Sequence, residues 1–240
     1  MVSYFIHYCE FMLSDLTANP NIWLHISLVG LWLALVLIIA EGLNRLFSVD
    51  PEISRKVVHI GTGNVILLAW WLDIPASIGI AAGVLSAAIA LISLKVPILP
   101  SVNSVGRQSL GTFFYAISIG ILIACFWPRQ QPHYAALGIL VMTWGDGLAA
   151  TIGQKFGYHK YQIWGSQKSW EGSLTMTLTS FIISTLILLP VYGNTWQIWS
   201  ISLAVALGAT LLEMVSQLGI DNLTVPLGSA AIAFFLHQLS

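Results

Sequence analysis

Four short stretches of this chain set charged and titratable side chains against apolar runs, where such groups are tolerated only when they do something. The first is Glu52-Ile-Ser-Arg55-Lys56-Val-Val-His59. On a helix, Arg55 and His59 are i,i+4 neighbours and Lys56 and His59 are i,i+3, so two cations and an imidazole address one point. Taken singly, Arg55 or Lys56 reads equally well as a snorkelling, orientation-setting cation. His59, at the mouth of an apolar run, is harder to explain that way. Gly61 and Gly63 just beyond it also suit close helix packing.

The second stretch is Trp144-Gly145-Asp146-Gly147, followed by Ala150, Gly153, Lys155 and Gly157. Asp146 interrupts an apolar span. Unpaired there, a carboxylate costs on the order of several kcal/mol, so it needs a cation or a metal. Gly147, Ala150 and Gly153 keep one helical face small, which suits a ligand or a partner helix with a buried Asp–Arg pair. In the third stretch, Trp164-Gly165-Ser166-Gln167-Lys168-Ser169-Trp170-Glu171-Gly172-Ser173, Lys168 and Glu171 come just ahead of a long apolar run. A helix N-terminus with a lysine beside it suits a phosphate; a plainer reading makes Ser169 a helix cap. The fourth comprises Glu213 and Asp221-Asn222, whose oxygens are the hard donors that Mg²⁺ takes. Alone, Asp-Asn before a helix is an ordinary cap; with Asp146 the metal reading gains weight.

The elements that position these groups are membrane helices. Only 8% of the 240 residues are charged and 57% are hydrophobic, with a mean hydropathy of +0.82. Soluble domains carry about 25% charged residues, and a globule of this size needs a polar skin that this sequence cannot supply. The formal net charge of −1 leaves no basic stripe for a nucleic-acid backbone. Cys9 and Cys125 lie far apart and suggest neither a disulfide framework nor a zinc site. The start, MVSYFIHYCEF, lacks the basic region and cleavage site of a signal peptide.

An apolar run of about 20 residues spans a bilayer core. Eight runs qualify: Ile22–Leu43, Val57–Leu72, Ile74–Leu94, Leu110–Trp127, Tyr134–Ile152, Ser173–Leu189, Trp196–Leu212 and Leu223–Leu239. The expectation is an all-α, polytopic membrane bundle of about eight helices, with six as the lower bound. It forms one domain over 1–240, in which residues 1–21 precede the bundle of about 22–239. Pro75 and Pro190 mark turns between spans. With eight spans, Arg45, Arg55, Lys56, Lys95, Arg107, Lys155, Lys160 and Lys168 share one side, and only Arg129 among the nine basic residues falls on the other. The positive-inside rule then puts both termini outside and the reactive loops in the cytoplasm or its organellar equivalent. Glu52, Asp146, Glu171, Glu213 and Asp221 join the basic side. A structural bundle has no use for that asymmetry, whereas an active site for a charged soluble substrate does.

Taken in order, Glu52…Arg55-Lys56…His59, Gly145-Asp146-Gly147…Gly153…Gly157, Lys168-Ser169…Glu171-Gly172-Ser173 and Glu213…Asp221-Asn222…Pro226 resemble the polyprenol kinase family. That group holds the phytol, dolichol and CTP-dependent diacylglycerol kinases, and the likeness is nearest to its phytol-phosphorylating members. It implies transfer of a phosphoryl group from CTP to a long-chain isoprenoid alcohol, giving phytyl phosphate that feeds tocopherol biosynthesis and phytol salvage. It further implies that Asp146, with Glu213 or Asp221, holds Mg²⁺. Arg55, Lys56 and Lys168 would clamp the triphosphate, with Glu171, Gly145, Gly147 and Asn222 at the nucleotide. His59 or Asp146 would take the alcohol proton, and Asp146, His59 and Lys168 form the catalytic set. The acceptor's tail is expected between helices, in lipid. A CDP-diacylglycerol synthase shares a stretch like Gly165-Ser166-Gln167-Lys168-Ser169-Trp170-Glu171-Gly172. However, no Lys or Arg follows Lys168 to meet an anionic acceptor. An ion-coupled transporter would place its charges near the midplane and show inverted repeats, which this chain lacks.

Overall fold

The computed structural model describes residues 20–47, 51–93 and 110–239. The helices are α1 (Ile22–Phe47), α2 (Pro51–Gly63), α3 (Val65–Trp71), α4 (Ala76–Ser93), α5 (Gly111–Phe126) and α6 (Pro132–Phe156). A hairpin of β1 (Lys160–Ile163) and β2 (Ser166–Ser169) follows, then α7 (Trp170–Tyr192), α8 (Trp196–Val215) and α9 (Asp221–Leu239). Lys95 and Arg107, which bear on the orientation argument, lie outside the described residues, as do residues 1–19.

Five helices (α1, α4, α6, α7 and α8) are long and apolar enough to cross a bilayer, and α5 is a shorter apolar helix. The chain is a polytopic membrane bundle, and among the described residues each of the eight apolar runs falls largely on helix. The expected second span is divided into α2 and α3 at Asn64, whose side-chain amide donates to the Ile60 carbonyl at 3.0 Å. Glycine in helix is weak by about 1 kcal/mol, and Gly61 and Gly63 precede the break. Pro75 marks a turn as expected. Pro190 instead sits in the last turn of α7, which runs on to Tyr192 and ends at Gly193 with φ of +80°.

Burial sorts the helices into layers. In α6 every side chain from His133 to Thr143 is buried, and the helix packs on α7, α9, α5, α2 and α3. By contrast α1 leaves Trp23, Leu31 and Ile38 exposed at 74%, 67% and 68%. Lipid is the solvent for such a surface. Close approach of α7 to α6 comes from Gly153 and Gly172: an added Cβ on Gly153 would lie 3.6 Å from the Gly172 Cα.

Among the described residues the hairpin is the one departure from an all-helical reading, and its signal is local. Trp164 and Gly165 both have positive φ, 46° and 86°, the pairing that a tight two-residue hairpin turn requires. Tyr161 pairs with Lys168 across the strands, and the Tyr161 hydroxyl reaches the Ser173 Oγ on α7 at 2.5 Å. At the other end of the bundle a polar aromatic cluster ties three helices. His133 Nε2 meets the Tyr192 hydroxyl at 2.7 Å, and the Tyr134 hydroxyl meets those of Tyr192 at 2.9 Å and His237 Nδ1 at 3.0 Å.

Candidate active site

The reactive groups of the four stretches arrive at one end of the bundle. Antiparallel helices bring together the N-terminal halves of α2, α5, α7 and α9 with the C-terminal halves of α6 and α8. Asp146 lies ten residues before the end of α6, about 15 Å inside it at 1.5 Å per residue. Facing it from α2 is Lys56, whose Nζ donates to Asp146 Oδ2 at 2.5 Å; the two side chains are 9% and 17% exposed. Arg55 is also close enough for its charge to act on Asp146.

His59 is one turn further along α2, with Nε2 3.9 Å from Asp146 Oδ2. That nitrogen is buried and has no hydrogen-bond partner. The ring rests against Tyr115 of α5, with centroids 4.4 Å apart. Tyr115 in turn shares a 2.6 Å hydrogen bond with Thr143 of α6, and Thr143 donates to the Ile139 carbonyl at 2.6 Å. Gly63 is required here, because a Cβ would collide with both Thr143 and Tyr115.

Lys168, on β2, donates to the carboxylate and to the backbone carbonyl of Glu213 at the end of α8. Ser169 caps α7 by accepting from the Gly172 amide at 3.1 Å, worth about 1 kcal/mol. The hairpin thus delivers Lys168 to the site while its neighbour starts the helix. Asp221 stands ahead of the apolar run of α9, and its carboxylate accepts from the Asn222 amide nitrogen at 3.2 Å. Burial first, and then the Asp146 carboxylate, push Asp221 up to about 6, while Lys168 and Lys56 pull it down. The four groups therefore share one electrostatic field.

Among curated proteins, the chain is 51% identical over 213 residues to a protein of Synechocystis sp. named phytol kinase, covering 89% of this chain and 91% of that one. The chain belongs to the phytol kinase family. It is also 29% identical to phytol kinase 1, chloroplastic, of Arabidopsis thaliana, covering 81% of this chain and 69% of that protein. Likewise it is 32% identical to probable phytol kinase 2, chloroplastic, of rice, covering 75% and 64%. No family model and no solved structure matches.

Within this phytol kinase fold the sequence-derived site residues divide into two groups. Asp146, Lys56, Arg55, His59, Lys168, Glu213, Asp221 and Asn222 gather at one end. Gly145 and Gly147 flank Asp146 but face neighbouring helices: an added Cβ would lie 2.5 Å from the Met176 Sδ and 2.9 Å from the Ile60 Cδ1. They let α7 and α2 close on the carboxylate. Glu171 is engaged with His159, accepting from its backbone amide at 3.2 Å and meeting Nδ1 at 2.7 Å. The side chain of Glu52 lies outside the described residues. Tyr115 and Thr143 were not singled out from sequence. An aromatic and a threonine in apolar helices carry no spacing that distinguishes a site from a core.

Among the described residues no three His, Cys, Asp or Glu side chains form a metal-holding group. Mg²⁺ in phosphoryl-transfer sites needs only one or two carboxylates, the remaining positions coming from phosphates and water. Asp146 and Asp221, carboxylates at the same end of the bundle, are oxygen donors of that chemical kind.

Proposed function

We propose that the chain is a kinase that moves the γ-phosphoryl group of CTP onto the hydroxyl of phytol, yielding CDP and phytyl phosphate. Family membership supplies the reaction class, and one observation carries the site. Two lysine–carboxylate pairs, Lys56–Asp146 and Lys168–Glu213, stand at the same end of the bundle with Asp221 between their fields. Phosphoryl transfer needs in-line positioning and charge neutralisation more than covalent assistance, and these groups offer both.

On nucleotide binding each lysine exchanges a carboxylate partner for phosphate oxygens, with Arg55 adding a third cation. Asn222 orients the Asp221 carboxylate, and Gly145 and Gly147 keep α7 and α2 close to Asp146. Asp146 and Asp221, with Glu213 beside them, are the groups that would hold Mg²⁺, which supplies neutralisation of charge on the transferring phosphoryl group. The alcohol oxygen attacks the γ-phosphorus, the bond to the bridging oxygen breaks, and CDP leaves. The hydroxyl proton passes to His59 Nε2 or to Asp146, both within reach of one point. The reactive end faces the cytoplasm or its organellar equivalent, and both termini lie opposite.

Purified protein incubated with γ-labelled CTP, Mg²⁺ and phytol tests this directly. Label in the lipid phase supports the kinase. Release of label as pyrophosphate would establish a cytidylyltransferase instead, and absence of any nucleotide chemistry would leave a transporter.

A further inference from the structure

Beside the paired carboxylates runs an apolar groove of about 570 Å³. Leu110 just ahead of α5 and Phe114 within it form one wall, Trp164 at the hairpin turn another, and Val215 at the end of α8 with Leu218 and Ile220 of the α8–α9 connection the third. The volume lies within the range of about 300–1,000 Å³ typical of small-molecule sites. Its position is the unusual part. These side chains sit at the polar end of the bundle, yet Leu218 is 83% exposed, Trp164 74% and Ile220 41%. Contiguous exposed apolar side chains at an aqueous boundary mark a surface that something covers.

The groove is built rather than frayed. Gln217, its polar member, donates its side-chain amide to the Trp164 carbonyl and so ties the α8–α9 connection to the hairpin. Leu218 and Gly219 both have positive φ, 54° and 84°. A Cβ at Gly219 would lie 2.7 Å from the Gly111 Cα, so backbone packs on backbone where the α8–α9 connection meets the start of α5. Two of the walls also adjoin the site along the chain. Ile220 precedes Asp221, Val215 follows Glu213 by two residues, and Phe114 precedes Tyr115, which backs His59.

We infer that this groove holds the hydrocarbon tail of the isoprenoid alcohol, its hydroxyl directed to the Asp146–Asp221 end. The inference rests on the kinase reading above and adds the location of the acceptor. The tail lies along the boundary between the hairpin, the start of α5 and the α8–α9 connection, outside the tightly filled centre around α6. An alcohol with a long tail gains affinity from the groove, whereas a short one leaves it empty.

Two measurements test it on the full chain in nanodiscs. In the first, kcat/KM is compared for phytol and for geraniol in Trp164→Ala, Leu218→Ser and the groove-filling Leu218→Trp. Both residues are exposed, so the fold tolerates the changes. The phytol-to-geraniol ratio is expected to fall about tenfold or more in each, the worth of a few buried methylenes. An unchanged ratio would overturn the assignment, as would equal loss for both alcohols, because that pattern belongs to a surface that merely anchors the protein in lipid. In the second, a phytol analogue with a diazirine at the end of its tail is photolysed on the protein. Label on Leu218, Trp164 or Phe114 that unlabelled phytol displaces supports the groove. Label confined to the outer faces of α1 and α4, or label that phytol does not displace, refutes it. Should the wild-type chain phosphorylate neither alcohol, the kinase reading fails, and the position of the photolabel still decides the groove.

Discussion

Lys56 and Asp146 are separated by 90 residues of chain and by 2.5 Å of space. This contact fixes the height of α2 against α6 and holds His59 and Arg55 beside the same carboxylate. Taking two charges out of water carries a desolvation penalty that a hydrophobic pair of the same volume avoids. A buried pair of this kind is weak as a staple and useful as a reserve of charge, because either partner can be redirected to a ligand.

That distinction is measurable. Asp146→Asn should lower kcat by about a thousandfold or more, the range of a lost general base or charge-holding group. It also strands a buried ammonium, and stability should drop by about 3–5 kcal/mol. Combining it with Lys56→Met should recover most of the thermal stability in detergent and none of the activity. Recovery of both would show that the pair is structural.

Lys168→Met should reduce kcat/KM about a hundredfold, mainly by raising the nucleotide KM, since the lysine is assigned to phosphate rather than to alcohol. Steady-state kinetics with CTP and phytol varied separately will show it. An effect confined to the phytol KM would move Lys168 out of the nucleotide site.

Tyr115→Phe removes one hydroxyl and keeps the ring against His59. The loss of the hydrogen bond to Thr143 should cost about 1 kcal/mol of stability, with kcat reduced about tenfold and the nucleotide KM unchanged. Tyr115 is a positioning residue, so Thr143→Val should reproduce the kcat effect and the two changes together should add little. Full additivity would dissolve the proposed connection.

Removal of divalent cations with EDTA should abolish turnover, and Mg²⁺ should restore it. In Asp221→Asn the Mg²⁺ concentration for half-maximal rate should rise about tenfold or more, because one of the anionic donors is gone. An unaltered Mg²⁺ requirement would remove Asp221 from the metal site.

Sidedness is accessible by thiol labelling in a chain lacking Cys9 and Cys125. A cysteine at Tyr158, next to the hairpin, should react with an impermeant reagent only after permeabilisation of cells. One at Thr195, between α7 and α8, should react without it. The reverse pattern would invert the topology.

Much of this was legible because lipid imposes its demands locally. Each apolar run had to be helix, since backbone polar groups have no other partner in hydrocarbon, and Asp146 stood out because little else there is charged. Partner choice was less visible. The aggregate of Lys56, Lys168, Asp146 and Glu213 could be read from topology, but which lysine meets which acid depends on helix rotation and on the length of the hairpin. The hairpin itself was read as loop, although Trp164-Gly165 at its turn carries a conformational signal. At the far end the sequence shows little beyond a scarcity of charge. His133, Tyr134, Tyr192 and His237 are neutral or weakly charged, so a search for charges passes over them, and yet they form the most connected polar network there.

That far cluster decides where the bundle is held shut. It knots α6, α7 and α9 together at one extremity, while Gly153 against Gly172 closes α6 on α7 near the other. The two lysine–carboxylate pairs tie other elements to that frame: Lys56 reaches Asp146 from α2, and Lys168 on the hairpin reaches Glu213 on α8. Under the proposed reaction, a triphosphate that takes up both lysines releases α2 and the hairpin, while the grip at the opposite leaflet stays closed.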